Sequence, residues 1–148
     1  MGLDLTHGCW HGAYGAFHRW RCKLAEVAGL PPLMLMEGLY EPGAPGDPFR
    51  DFARGWPDLW EGLYACSLPI SWNCLKPDVL HHLLKHSDCD GELRVELCGL
   101  LADRLQELMP LLPNREDHGH IGNWRDKTQV FIDGLRRAAE AGEHVEFH

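Results

Sequence analysis

The chain has 148 residues, enough for one domain built round a single ordinary core. Its 14 Lys and Arg stand against 22 Asp and Glu, a formal net charge of −8 at pH 7. That balance argues against a protein that grips a nucleic-acid polymer or an acidic membrane surface with a basic face, while small anions can still meet a local cluster of arginines.

From the N-terminus, the first regular element predicted is a helix over 13–28. Phe17, Trp20, Leu24 and Val27 repeat on one helical face, and Gly29 follows as a natural stop. Pro31-Pro32 then prevents continuation. Residues 37–57 carry glycine or proline at eight positions and read as one long irregular loop. Its Phe49, Phe52 and Trp56 suggest that it folds back as a cover. A short helix is predicted over 58–66 and another from Pro77 to about His86. The leucine-striped helix after it (Leu93, Leu97, Leu100, Leu101, Leu105, Leu108) would form an αα-hairpin with it. The last helix, from Trp124 to Ala141, has Asn123 as its cap and Gly142 as its stop, and the tail 144–147 has extended preference. Together these elements predict an all-α fold, a single helical domain of about five helices.

No apolar run approaches the about 18 residues of a membrane span. The opening Met1-Gly2-Leu3-Asp4 lacks the basic start and apolar core of a secretory leader. A cytoplasmic protein is expected, its six cysteines reduced; their spacing contains no CxxC.

With 6 Trp and 10 His, the chain is rich in residues that stack, coordinate metals and move protons. Four constellations follow. The loop His86-Ser87-Asp88-Cys89-Asp90-Gly91-Glu92 has the front half of an EF-hand, but His86 stands at its first ligand position and Leu97 where a bidentate Glu belongs. Calcium is therefore not expected there, and a capped turn explains the loop better. His81, His82, His86 and Cys89 have zinc-like spacing on a helix, yet Leu83 replaces the general-base Glu of the HExxH enzymes. His7, Cys9 and His11 alternate, as do His118 and His120; on extended chain each set would share a face, and together they could build a zinc or other transition-metal centre.

The fourth constellation is aromatic and cationic. Trp10, His11, Tyr14 and Arg19 crowd the start of the first helix, and Trp124 and Arg125 the start of the last. Indoles stack on planar groups, arginine forks take carboxylate or phosphate, and helix starts favour anions. The leading expectation is a non-enzymatic binding protein with a pocket for a small, anionic, planar, nucleotide-like ligand. On that view Trp124→Ala abolishes binding and leaves the fold. A zinc-dependent hydrolase and a protein–protein interaction module are the alternatives. No GxSxG, P-loop or GxGxxG pattern supports a specific reaction.

The stretch from Asp4-Leu5-Thr6-His7 to Phe17-His18-Arg19-Trp20-Arg21, the loop from His86 to Glu92, and the ending from Trp124-Arg125-Asp126 to Glu146-Phe147-His148 resemble small hypothetical proteins of phage and bacterial genomes. The resemblance implies no activity. It implies a small protein that binds something of a host, such as a signalling nucleotide to be sequestered or a host protein.

Overall fold

The computed structural model describes residues 2–37, 70–117 and 121–148. The loop expected over 37–57, apart from Glu37, and the helix expected over 58–66 lie outside the described residues.

The first and last helices form where the apolar periodicity puts them. α1 (Tyr14–Val27) buries Phe17, Trp20 and Leu24 along one stripe. α4 (Trp124–Ala141) buries Thr128, Phe131, Ile132, Leu135 and Ala138. The side-chain oxygen of Asn123 accepts hydrogen bonds from the backbone N–H groups of Arg125 and Asp126, satisfying two donors that a helix start leaves open. At the other end Gly142 takes φ +69°, a left-handed turn that a residue with a Cβ enters only with strain, and the chain leaves the helix there.

The remaining elements correct the all-α expectation. Among the described residues there are four α-helices and three antiparallel sheets of two strands each, a mixed α/β fold. β1 (Gly2–Asp4) pairs with β2 (His11–Ala13), β3 (Glu92–Leu93) with β6 (Val145–Glu146), and β4 (Glu116–Asp117) with β5 (Gly122–Asn123). Strands of two or three residues are too short for a period-two pattern to declare itself, so sequence periodicity sees only the helices. The extended tail expected over 144–147 is present as β6.

The αα-hairpin is also corrected. The helix expected from Pro77 shrinks to α2 (His81–Leu84), preceded by tight turns in which His81 N–H bonds to Asp78 C=O and His82 N–H to Val79 C=O. β3 then intervenes before α3 (Val95–Leu108), and the long helices that pack together are α3 and α4. α3 buries Cys98, Leu101, Ala102, Leu105 and Leu108, while Leu100, expected in the stripe, is exposed. Asp78 fastens the α2 turns to α3. Its carboxylate accepts from Leu80 N–H and from Arg104 Nε and Nη2, at 2.9–3.2 Å. Burial pushes the Asp78 carboxyl up, but the Arg104 bonds, the Leu80 N–H and the neighbouring positive charge outweigh it and hold the group below its usual range.

One buried cluster runs through the described elements. Its centre is aromatic: Trp10 meets Phe17 edge-on at 5.1 Å and Trp20 at 5.3 Å, and Trp20 meets Phe131 at 4.7 Å. The indole N–H of Trp20 donates to Thr128 Oγ1 at 2.9 Å, and the Thr128 hydroxyl donates to Trp124 C=O, whereas the buried indole N–H of Trp10 meets no hydrogen-bond acceptor among the described residues. Each such fully buried large side chain contributes about 2–3 kcal/mol relative to exposure.

The end of the chain is tied into this core. Asp4 and His148 exchange backbone hydrogen bonds at 3.1 and 2.9 Å, and Phe147 N–H donates to Gly91 C=O. Phe147 stacks on the His86 ring at 4.0 Å. The ring nitrogens of His86 lie 2.7 and 3.0 Å from the carbonyl oxygens of Ser87 and Glu92. The EF-hand-like loop is therefore closed by an imidazole and by the C-terminal strand.

Candidate functional site

Position by position, the structure divides the two candidate sites. Trp10 is 1% exposed and belongs to the aromatic core, with Lys127 Nζ 4.5 Å from its ring centroid. Tyr14 packs half-buried against that core. The His11 side chain is 90% exposed, its Nδ1 3.7 Å from the Asp4 carboxylate. Arg125 donates from Nε to Leu112 C=O and from Nη2 to Pro110 C=O, pinning the segment that follows α3. Of the six candidate binding residues, Arg19 and Trp124 share a cleft.

The described metal candidates, His7, Cys9 and His11, do not converge either. Thr6–Gly8 is a 3₁₀ turn in which His7 adopts φ +59°, so the extended alternation that would align His7, Cys9 and His11 is broken. Arg137 donates twice to His7 C=O, and His7 Nε2 lies 3.1 Å from Glu143 Oε2. Cys9 is fully buried against α4. Burial, then the neighbouring Cys98, push its thiol up to about 12 against a smaller opposing effect of Arg137. A thiol held protonated in that way is a poor ligand. His118 and His120 lie outside the described residues. Among the described residues no three His, Cys, Asp or Glu side chains gather into a set that could hold a metal.

The cleft that contains Arg19 and Trp124 has a volume of about 290 Å³. One wall is a stripe of α1, where Arg19, Cys22, Lys23 and Glu26 recur at helical spacing on a side away from the Phe17–Leu24 stripe. Arg115, just before β4, and Asp117, on it, form the second wall, and Trp124 at the start of α4 forms the third. Arg19 Nη2 reaches Asp117 Oδ2 at 2.9 Å, joining α1 to β4. Lys23 Nζ bonds Glu26 Oε2 at 2.8 Å and lies 5.6 Å from the Trp124 ring centroid. Arg115 is exposed. Three cations against two carboxylates leave this lining one charge positive on a chain whose net charge is −8.

Within the cleft wall, Cys22 Sγ lies 3.5 Å from His18 Nε2, one turn earlier on α1. Burial, then the Arg21 charge, lower the His18 imidazole below its usual range against a weaker pull from Asp88. Burial pushes the Cys22 thiol up, with Arg21 opposing.

A second cleft, about 360 Å³, lies between Thr6–His7 and Gly142–Glu146. Two of its polar atoms hold backbone: Thr6 Oγ1 accepts from Glu146 N–H, and His144 Nδ1 accepts from Val95 N–H at 2.8 Å.

Sequence reasoning missed Cys22, Lys23, Glu26, Arg115 and Asp117. The α1 members had a readable signal, a polar stripe at i, i+3, i+4, i+7 beside the apolar one. Arg115 and Asp117 had none, because their approach to α1 is purely tertiary.

No protein-family model, no curated protein and no solved structure matches this chain. No helix among the described residues is long and apolar enough to cross a membrane.

Proposed function

We propose that this chain is a binding protein for a small anionic ligand, a carboxylate or phosphate on a compact planar body, held in the cleft between α1, β4 and α4. The observation that carries the reading is the local reversal of charge. Arg19, Lys23 and Arg115 converge beside an indole on a strongly acidic chain. Guanidinium groups take oxyanions through two parallel bonds. The volume of about 290 Å³ lies at the lower edge of small-molecule sites, which suits a mononucleotide-sized or smaller occupant. An incoming anion would compete with Asp117 for Arg19 and with Glu26 for Lys23, so affinity should fall as salt rises.

The test is calorimetric titration with nucleoside monophosphates, inorganic phosphate and small aromatic carboxylates at low and high salt. Arg115 is exposed, so Arg115→Ala leaves the core intact. It is expected to weaken binding about tenfold, and Arg115→Glu further, as the loss of one charge-assisted contact implies. Affinity for no member of this panel, or affinity indifferent to Arg115→Glu, would overturn the reading.

A further inference from the structure

We propose that the notch at Gly12 is a second anion site, where one oxygen of a carboxylate or phosphate accepts from the indole N–H of Trp10 and from the ammonium of Lys127. None of these three residues lines the cleft of Arg19 and Arg115. The observation that carries the site is an orphan donor. Trp10 is buried, yet its Nε1 meets no acceptor among the described residues. A buried indole N–H ordinarily has a partner, as Trp20 has in Thr128. Gly12 supplies the space. A Cβ built there would stand 3.5 Å from Trp10 Nε1 and 3.9 Å from Lys127 Nζ, ordinary contact distances, so one light atom fits at a point that both donors border. Gly12 holds φ +155°, a conformation that residues with a Cβ adopt only with strain, and this keeps the position open.

Lys127 brings the charge. Its Nζ lies 4.5 Å from the Trp10 ring centroid and reaches His11 C=O at 3.4 Å, a long hydrogen bond. Among the described residues no carboxylate lies within ion-pair distance of it. The nearby acid on β1 faces elsewhere. Asp4 pairs with His11 and Leu3 with Gly12, and strand side chains alternate, so the Asp4 carboxylate, 3.7 Å from His11 Nδ1, projects from the face opposite the notch. α1 begins two residues after Gly12 with no side-chain cap and no acid in its first turn, so its open N–H groups add to the positive field. In the anion-free chain the Lys127 arm lies over the indole. It is a flexible side chain on one long bond. An entering oxyanion replaces the His11 carbonyl as the acceptor of the ammonium, and the same oxygen takes up the orphan N–H.

The test follows the indole N–H signals of the full, ¹⁵N-labelled chain by NMR during titration with phosphate or acetate, ionic strength being held constant with chloride. Loss of one signal in Trp10→Phe identifies the Trp10 resonance. That proton is expected to move downfield and saturate as it gains an acceptor. Movement with acetate alone makes this a carboxylate site, and movement with phosphate alone a phosphate site. Lys127→Met, which keeps the length of the arm and removes its charge, should weaken the effect about tenfold. Gly12→Ala should abolish it by filling the notch, and thermal melts report whether each variant is folded. Arg115→Glu should leave it unchanged, which separates this site from the cleft. A Trp10 signal that neither anion moves, or that moves equally in folded Lys127→Met, overturns the proposal.

Discussion

Two cysteine neighbourhoods, one packed against α4 and one on α1, differ in nearly everything except the presence of a nearby tryptophan. Cys9, beside Trp10, is sealed: Gly134 of α4 comes so close that an added Cβ would stand 2.5 Å from its sulfur and 2.8 Å from its Cα. Cys22 shares its cleft with Trp124, is half-buried, has a histidine against its sulfur, and sits among cations. Each thiol is pushed up by burial. The difference is access, and it decides chemistry: the Cys9 thiol can only hold the fold together, whereas the Cys22 side can receive something from solvent.

The comparison breaks most readily at Trp124. Its position at the cleft suggests a ligand contact, but it is 4% exposed. Trp124→Ala should destabilise the protein by about 4 kcal/mol, the loss expected for a large buried aromatic, measured by urea unfolding. This reverses the sequence expectation that the variant would lose binding and keep its fold. A stability change below about 1 kcal/mol would return Trp124 to the ligand side of the comparison.

Gly134 tests the sealed side. The atoms that a new methyl would strike include the Cys9 backbone, which cannot swing away like the end of a flexible side chain. Gly134→Ala should cost about 2 kcal/mol through overpacking, despite the better helix propensity of alanine. Cys9→Ala in the same chain should restore only part of that loss, because the backbone clash stays. Full restoration would mean that the sulfur alone sets the fit.

The smallest effect concerns alkaline pH. The Cys9 thiol is raised from 9.0 to about 12 in the folded chain, so above the unfolded value the native state holds a proton that the unfolded state has lost. Its contribution to stability is complete below about pH 9 and is lost as pH rises towards about 12. Subtracting the pH profile of Cys9→Ala from that of the wild type isolates this contribution as a falling limb. The same subtraction with Cys22→Ser should fall in the same direction. A difference profile flat across this range for Cys9→Ala would show that the thiol is not sealed.

What the sequence alone determined is the helical frame. The stripe Phe17–Trp20–Leu24, the Asn123 cap and the Gly142 stop were legible because helix periodicity and capping are local, written within a few residues of each other. So was the absence of an EF-hand carboxylate at Leu97. The three small sheets were not legible, because each pairs strands of two or three residues whose register depends on a distant partner: Glu92–Leu93 is extended where Val145–Glu146 lies beside it. Clustering in sequence did not become clustering in space. Trp10, His11 and Arg19 are near neighbours along the chain, yet one went to the core, one to solvent and one to a cleft, since neighbouring positions on strands and helices face different ways. Only tertiary structure brought Arg115 and Asp117 to α1 and set a net positive lining on an acidic chain, because charge at a site depends on which distant segments meet there.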